Sequence, residues 1–200
     1  MNPHHHLDAL YAVVADDDAS PWTYMPFGPF ESKAALQSWM ETACALKDPY
    51  YYAIVDVATS AVKGFASYLR IVPDTGVIEV GGIYFSRALR RSVSATEAMF
   101  LMMRHAIDDL GYRRYEWKCD ALNAPSRNAA ERLGFTYEGI FRQATIYKGR
   151  NRDTAWFSII DTEWPRIKSA FERWLDPNNF TADGSQKQSL REIRDSTASE

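Results

Sequence analysis

The chain has 200 residues, which fits one domain with or without a tail, and 46% of them are apolar, as in ordinary globular proteins. Its formal net charge of −3 argues against bulk attraction to nucleic acid or to an anionic membrane. Two cysteines, Cys44 and Cys119, and the lack of an apolar run of membrane-spanning length predict a cytoplasmic protein without a disulfide framework.

The N-terminal part predicts two helices separated by an aromatic loop. Apolar residues on one helical face predict a helix near residues 7–14 and a second over residues 31–46. The intervening PWTYMPFGPF segment predicts a loop that either packs over the core or lines a substrate pocket. The histidine run at residues 4–6 has no partner ligand at metal-binding spacing, so we expect no metal site.

Three strands should follow as an antiparallel meander. Residues 51–58, 62–72 and 77–85 are rich in β-branched and aromatic residues and are separated by turn sequences. The third strand leads into a loop at residues 87–92 that carries three arginines. A helix then extends to Gly111, which suits the position just after a helix end.

The start of this helix predicts an anion site. Ser94 and Glu97 have the spacing of a capping box, which would begin the helix there. Free backbone N–H groups and the positive end of the helix dipole both favour a phosphate at such a position. The alternative is an ordinary surface connector with solvated arginines.

The remaining elements complete an α/β arrangement. A strand at residues 113–119 should run parallel to the third strand through a βαβ crossover. A short helix begins near Asn123, a hairpin joins strands at residues 136–147 and 154–160, and an amphipathic helix covers residues 163–175. We predict one domain over residues 1–180 and a polar tail over residues 181–200, which is either disordered or a frayed helix.

This order of elements resembles the GNAT superfamily of acyl-CoA-dependent N-acetyltransferases, and particular motifs strengthen the resemblance. Asn123-x-x-Ser126 followed by Gly134-Phe135 is similar to the family's N-x-x-[AS]…GF segment. Ala95-Thr-Glu-Ala98 is similar to a motif of the RimJ/RimL-like branch. The resemblance implies the GNAT fold, an α/β (α+β) fold with a mixed, mostly antiparallel central sheet flanked by helices.

The chain departs from the family at several positions. Arg91 and Val93 occupy the glycine positions of the pyrophosphate loop, and Ala130 stands where many members carry a tyrosine acid. Thr145 stands where the branch has a proposed glutamate base. The usual strand before the first helix is also expected to be missing, which a truncated gene model would explain.

The resemblance implies that acetyl-CoA is the co-substrate and indicates which residues bind it. The pyrophosphate would be held by the basic loop and the first turn of the helix, and the pantetheine would lie beside the short helix. The predicted cofactor-binding residues are Gly81, Gly82, Ile83, Arg90, Arg91, Ser92, Val93, Ser94, Ala95, Thr96, Asn123 and Ser126.

Two catalytic residues are predicted. Ser126 would hydrogen-bond the departing thiolate, although a serine at a helix start can simply bond the backbone. The glycine pair at residues 81–82 predicts a β-bulge whose backbone stabilises the oxyanion, and Glu79 just before it is the predicted base. The alternative is that Glu79 is a surface residue on a half-exposed strand. Asp120 and Tyr147 are lesser candidates for the base.

We therefore predict an acetyl-CoA-dependent N-acetyltransferase that acts on a primary amine by direct attack in a ternary complex. The acceptor, either a protein N-terminus or a small molecule, is not readable from the sequence. The alternative is a non-catalytic acyl-CoA-binding sensor of the same fold. We expect no nucleic-acid or membrane partner, and dimers are common in the resembled branch, so a homodimer is one expected assembly.

Overall fold

A computed structural model of the chain describes residues 1–196 as one mixed sheet flanked by helices. The helices are α1 (Pro3–Ala15), α2 (Lys33–Ala45), α3 (Val93–Arg104), α4 (Ala124–Leu133), α5 (Trp164–Leu175) and α6 (Leu190–Ser196). The strands are β1 (Tyr50–Val55), β2 (Val62–Val72), β3 (Val77–Phe85), β4 (Arg114–Asp120), β5 (Thr136–Tyr147) and β6 (Arg150–Ile160). This arrangement confirms the predicted fold class.

The six strands lie in the order β1-β2-β3-β4-β6-β5, and the sheet divides at its one parallel pair, β3 and β4. Val77–Val80 pairs with residues 114–117, and the pairing stops there although both strands continue. The C-terminal ends of β3 and β4 therefore separate and leave a gap in the sheet. This gap is called the cleft below.

Side chains alternate across the strands, so the two faces of the sheet carry different cores. On one face Tyr115, Trp117 and Cys119 of β4 pack in the cluster that contains residues of α3, α4 and α5. On the other face Phe65 and Tyr84 pack against α1 and α2. The cleft is thus approached from two chemically different sides, which we call the α3/α4 face and the α1/α2 face.

The predicted disordered tail is wrong for the part that the structure describes. Helix α6 buries Leu190 and Ile193 in the cluster that includes α4 and α5. Trp174 Nε1 donates a hydrogen bond to Gln186 Oε1 at 2.9 Å, and the backbone of Phe180 forms a bridge with that of Gln186. Leu190 and Ile193 are three residues apart in a mostly polar segment, and they form the apolar surface through which α6 packs. Residues 197–200 of the predicted tail lie outside the described part.

No helix within residues 1–196 combines the length and the apolar character that crossing a lipid bilayer requires.

The docking of α6 predicts a stability difference between two neighbouring positions. Ile193→Ala should lower the free energy of unfolding by about 2–5 kcal/mol because the buried side chain leaves a cavity. The exposed Arg191→Ala should change it by no more than about 0.5 kcal/mol. Urea unfolding followed by tryptophan fluorescence measures both, and equally small effects would contradict a docked α6.

Candidate active site

A β-bulge lies in β3 beside the cleft. One residue of β2, Ala66, faces two residues of β3, Gly82 and Ile83. Gly82 has a φ of +56°, and a Cβ atom there would lie 3.0 Å from Ser67 Oγ. Both features require glycine, because a side chain would strain the backbone and crowd the hydroxyl. The predicted bulge at the glycine pair is confirmed.

Hydroxyl groups of β1 and β2 support the bulge from the α1/α2 face. Ser67 Oγ donates to the Gly81 carbonyl oxygen at 2.9 Å. Burial raises the pKa of Tyr51 to about 12, so its hydroxyl stays protonated beside Ser67 and Gly82. Because β4 has already diverged, the backbone of residues 81–83 has no strand partner on the cleft side.

Glu79 lies in an ion-pair cluster next to the bulge. Its side chain is 2% exposed and pairs with Arg70, whose Nε and Nη2 donate to the two carboxylate oxygens at 2.7 and 2.9 Å. Lys118 Nζ approaches the same carboxylate at 2.9 Å. Glu79 also belongs to the paired part of β3, opposite Glu116. These contacts fit a structural carboxylate and do not fit the predicted base.

Lys118 is the central cation of this cluster. Its side chain is 6% exposed, and Nζ lies 2.6 Å from Glu116 and 3.7 Å from the centroid of the Trp156 ring. Arg114 extends the cluster by donating to Glu116 at 2.7 Å. The alternation in RYEWKC, with a charge at every second residue, is the sequence signal that could have revealed this charged face.

The basic loop holds one of its arginines and exposes another. Arg90 donates through Nε to the Phe85 carbonyl at 2.9 Å and binds Asp17, which also accepts a hydrogen bond from Tyr84 at 3.0 Å. Arg90 therefore anchors the loop to the segment after α1, a contact that the sequence did not suggest. Arg91 is exposed and has a φ of +59°, the left-handed conformation that a glycine would adopt there.

The N-terminus of α3 begins two residues earlier than the sequence predicts. Ser92, and not Ser94, is the capping residue, since its Oγ accepts from the Ala95 N–H at 3.1 Å. Val93 and Ser94 are exposed, and first-turn N–H groups have no partner within their helix. Thr96 is buried, and its Oγ1 accepts from Arg132 at 3.0 Å. Of the predicted phosphate ligands, Arg91 and the start of α3 are therefore open to a ligand, while Ala95 and Thr96 are buried.

At the start of α4, the two predicted pantetheine contacts are also local structural residues. Asn123 Oδ1 caps the helix by accepting from the Ser126 N–H at 3.2 Å. Ser126 Oγ accepts from Trp117 Nε1 at 3.0 Å, which leaves the hydroxyl proton for another acceptor. Burial raises the pKa of the neighbouring Cys119 thiol, and a hydrogen bond with Ser126 opposes that effect.

On the α1/α2 face, Asp120 and Tyr147 are hydrogen-bonded at the end of β4. Asp120 is 3% exposed, and its Oδ2 accepts from the Tyr147 hydroxyl at 2.8 Å. The Tyr147 oxygen in turn accepts from Arg150 Nη2 at 2.6 Å. Burial, with a further contribution from Asp120, raises the pKa of Tyr147.

The aromatic loop between α1 and α2 packs over the core, which is one of its two predicted roles. Trp22 is buried and stacks on Tyr84 with ring centroids 4.7 Å apart, as a core residue. The Tyr24 hydroxyl instead donates to the Leu122 carbonyl at 3.1 Å, next to the end of β4. Lys148, at the tip of the β5–β6 hairpin, donates to the carbonyl oxygens of Trp22 and Gly28 at 2.8 and 2.7 Å.

The cleft is distinct from two surface cavities within residues 1–196. One, of about 320 Å³, lies between α1 and the aromatic loop and includes Tyr11, Asp18 and Phe30. The other, of about 770 Å³, is an open hollow on the β5–β6 hairpin near Phe141 and Asp153. Within the same residues, no group of three or more His, Cys, Asp or Glu side chains is placed to hold a metal ion.

The chain is similar to a known family over most of its length. A model of the acetyltransferase (GNAT) domain matches residues 1–136. A GCN5-related N-acetyltransferase from Brucella melitensis has 47% identity and a TM-score of 0.95, with 97% of this chain and 88% of that chain covered. A probable acetyltransferase of the GNAT family from Chromobacterium violaceum ATCC 12472 has 43% identity and a TM-score of 0.78, with 82% of each chain covered.

A more distant solved structure shares the fold. RimL, a ribosomal alpha-N-protein acetyltransferase in complex with coenzyme A, has 20% identity and a TM-score of 0.68, with 80% of this chain and 90% of that chain covered. A comparison with curated proteins gave no match.

The ion-pair cluster predicts a strong coupling between Glu79 and Lys118. Glu79→Gln should lower the free energy of unfolding by about 3–5 kcal/mol, because buried Lys118 loses one of the two carboxylates that balance its charge. Combining it with Lys118→Met should cost less than the sum of the two single changes. Denaturant unfolding of the four proteins of this double-mutant cycle measures the coupling, and strict additivity would rule out a structural pair.

Proposed function

The chain belongs to the GNAT acetyltransferase family, and we propose that it is an N-acetyltransferase that moves an acetyl group from acetyl-CoA to a primary amine. The observation that carries this proposal is the cleft between β3 and β4. It combines an unpaired, bulged backbone at Gly82 with the N-terminus of α3 at the same edge of the sheet. A thioester and a pyrophosphate of one ligand could be held by these two features together.

On the α3/α4 face, the proposed cofactor contacts are distributed between two helix starts. Arg91 and the N–H groups of Val93 and Ser94 would hold the pyrophosphate. The pantetheine would pass through the cleft, with the thioester oxygen near the backbone of Gly82 and the sulfur near Ser126. Arg90 would act indirectly, because its contact with Asp17 fixes the course of the loop.

Direct attack by the amine is supported by the raised pKa of the thiol nearest to Ser126. Cys119 lies beside Ser126, but burial raises its pKa, and the protonated thiol is a poor nucleophile. A covalent acetyl-enzyme on this residue is therefore disfavoured. The amine would approach from the α1/α2 face and attack the thioester within a ternary complex.

For the acceptor, we propose a primary amine that belongs either to a protein N-terminus or to a small molecule. The fold that the chain shares with RimL supports the protein arm, and the aromatic loop next to the cleft could serve either arm. We also propose a cytoplasmic location, which the two free thiols of Cys44 and Cys119 support.

An acceptor screen tests the proposed function. The protein would be incubated with acetyl-CoA and a panel of alkylamines, aminoglycosides and short peptides with free N-termini. Free thiol release and the mass of the acetylated product would be measured together. Acceptor-dependent release supports the enzyme, whereas acetyl-CoA binding without release by any acceptor would favour the non-catalytic sensor.

Acetyl-CoA binding should depend on Arg91. Arg91→Gly removes the charge but suits the left-handed backbone at this position, so the fold should be retained. Loss of a charged contact should weaken binding by about 1.5–3 kcal/mol, and less so at high salt. Calorimetry measures the affinity, with Arg113→Ala, an exposed arginine just before β4, as the charge-matched control. Unchanged or tighter binding by Arg91→Gly would remove Arg91 from the site.

Ser126 should act on the leaving group and not on cofactor affinity. Ser126→Ala should lower kcat and kcat/KM alike, by about 10²-fold or less since a hydroxyl is a weak acid. Acetyl-CoA affinity should change little. Steady-state kinetics with the best acceptor of the screen measures this, and full kcat in a folded variant would leave Ser126 as a helix-start residue only.

A further inference from the structure

We propose that Tyr147 and Asp120 form the relay that removes the proton from the acceptor amine. The inference rests on the proposed function, because it names the group that prepares the amine for attack. Tyr147 would contact the amine, and Asp120 would act through Tyr147. Glu79, the base predicted from its place before the glycine pair, is held by Arg70 and Lys118. Thr145, which stands where the resembled branch has a glutamate, has no acid–base function.

The position of Asp120 fits this role. It is the last residue of β4 and lies three residues beyond Trp117, where the pairing with β3 ends. Side chains alternate along β4, so Asp120 faces away from Cys119 and towards the α1/α2 face. An amine that enters from this face meets the cleft beside Asp120, while the thioester approaches from the side of Ser126.

The hydrogen bonds show in which direction a proton would move through the pair, from Tyr147 to Asp120. Asp120 Oδ1 accepts from the Leu122 N–H at 2.9 Å, and Oδ2 accepts from the Tyr147 hydroxyl at 2.8 Å. The phenol proton is therefore committed to the carboxylate. One lone pair of the Tyr147 oxygen accepts from Arg150 at 2.6 Å, and the phenol oxygen has capacity for one further donor. An ammonium N–H group is a donor of the required kind.

The surroundings favour loss of the proton from a bound ammonium. Arg150 and Arg152 lie 4.9 and 5.9 Å from the centroid of the Tyr147 ring. Their positive charges repel a second cation, which favours the neutral amine over the ammonium beside Tyr147. Two other titratable groups, Tyr24 of the aromatic loop and Lys148 of the hairpin tip, lie beside Arg150. Cys119 of β4 and Arg127 of α4 are close to Asp120 but lie on the opposite side of β4.

Transfer through this pair accounts for every proton in the reaction. A proton moves from the ammonium nitrogen to the Tyr147 oxygen as the phenol proton moves to Asp120 Oδ2. The freed nitrogen lone pair forms a bond to the thioester carbon, and the carbonyl π pair moves onto oxygen. Re-formation of the carbonyl breaks the C–S bond, and the sulfur takes that electron pair together with the second nitrogen proton. Asp120 then releases its proton to water, and the products are the amide and free coenzyme A.

The test is the pH dependence of kcat/KM for Tyr147→Phe and Asp120→Asn in the full chain. The probe is the most reactive amine of the acceptor screen, with saturating acetyl-CoA. Near neutral pH, each variant should lose about 10²-fold, within the range of a positioned acid–base group. The loss should shrink as the pH passes the pKa of the amine, about 8 for an α-amine and about 10.4 for a lysine-like amine, because the amine then deprotonates unaided.

Two matched variants and two structural measurements serve as controls. Tyr137→Phe, on the same strand, and Asp161→Asn, just after β6, make the same chemical changes on exposed side chains and should keep the wild-type pH profile. Melting temperature and acetyl-CoA affinity establish that the relay variants are folded and bind the donor. Tyr147→Phe deletes a single oxygen atom, so it remains informative even where Asp120→Asn fails to fold.

The outcomes separate the relay from the proposed function. Pronounced losses near neutral pH that recover at high pH, in Tyr147→Phe and in folded Asp120→Asn, support the relay. Turnover by the wild type with an unchanged pH profile in Tyr147→Phe overturns the relay alone. A uniform loss at all pH values also overturns it, because it indicates a structural effect. No acceptor-dependent turnover by the wild type overturns the proposed function and the relay with it.

Discussion

The parallel ladder between β3 and β4 is the constraint on which the rest of the structure depends. It consists of four residue pairs, and the two halves of the sheet diverge beyond it. Separation of paired strands exposes backbone groups that must find other partners. The bulge at Gly82 lies where β3 has lost its partner β4, and the ion-pair cluster around Lys118 joins β3 to β4 immediately below the divergence. The ladder is short, and Lys118 adds side-chain contacts between the two strands by pairing with Glu79 of β3 and Glu116 of β4.

The basic loop shows how a backbone conformation can persist without the residue that usually provides it. Arg91 adopts a left-handed φ at a position where the family carries glycine. Such a conformation costs on the order of 1 kcal/mol for a side-chain-bearing residue, and other contacts must offset that cost. The contact of Arg90 with Asp17 and the cap formed by Ser92 provide such support on both sides of Arg91. Contacts on both sides of Arg91 thus hold the conformation that a glycine would adopt freely, and Arg91 places a cation at the start of α3.

The sequence was sufficient for the features that local rules determine. The meander, the crossover to β4, the glycine-rich bulge and the start of α4 at Asn123 follow from alternation, turn residues and helix signals. The role of Glu79 could not be predicted in this way, because Arg70 and Lys118 reach it from neighbouring strands whose register the sequence does not display. The tail was misjudged for a related reason. Two apolar residues in a polar segment, Leu190 and Ile193, form a helix face only once α4 and α5 offer a surface to bury it.

The α1/α2 face of the cleft is assembled almost entirely from contacts between distant parts of the chain. Lys148 and Arg150 of the hairpin donate to carbonyl groups of the aromatic loop, and Tyr24 of that loop donates to the turn after β4. Each hydrogen bond contributes little alone, but together they fix three separate segments around one opening. The hairpin side chains reach backbone carbonyls, so their hold on the loop does not depend on the loop's side chains, whereas Tyr24 and buried Trp22 hold it through their own side chains. The course of the aromatic loop beside the end of β4 is therefore fixed from both directions, by the hairpin and by the loop itself.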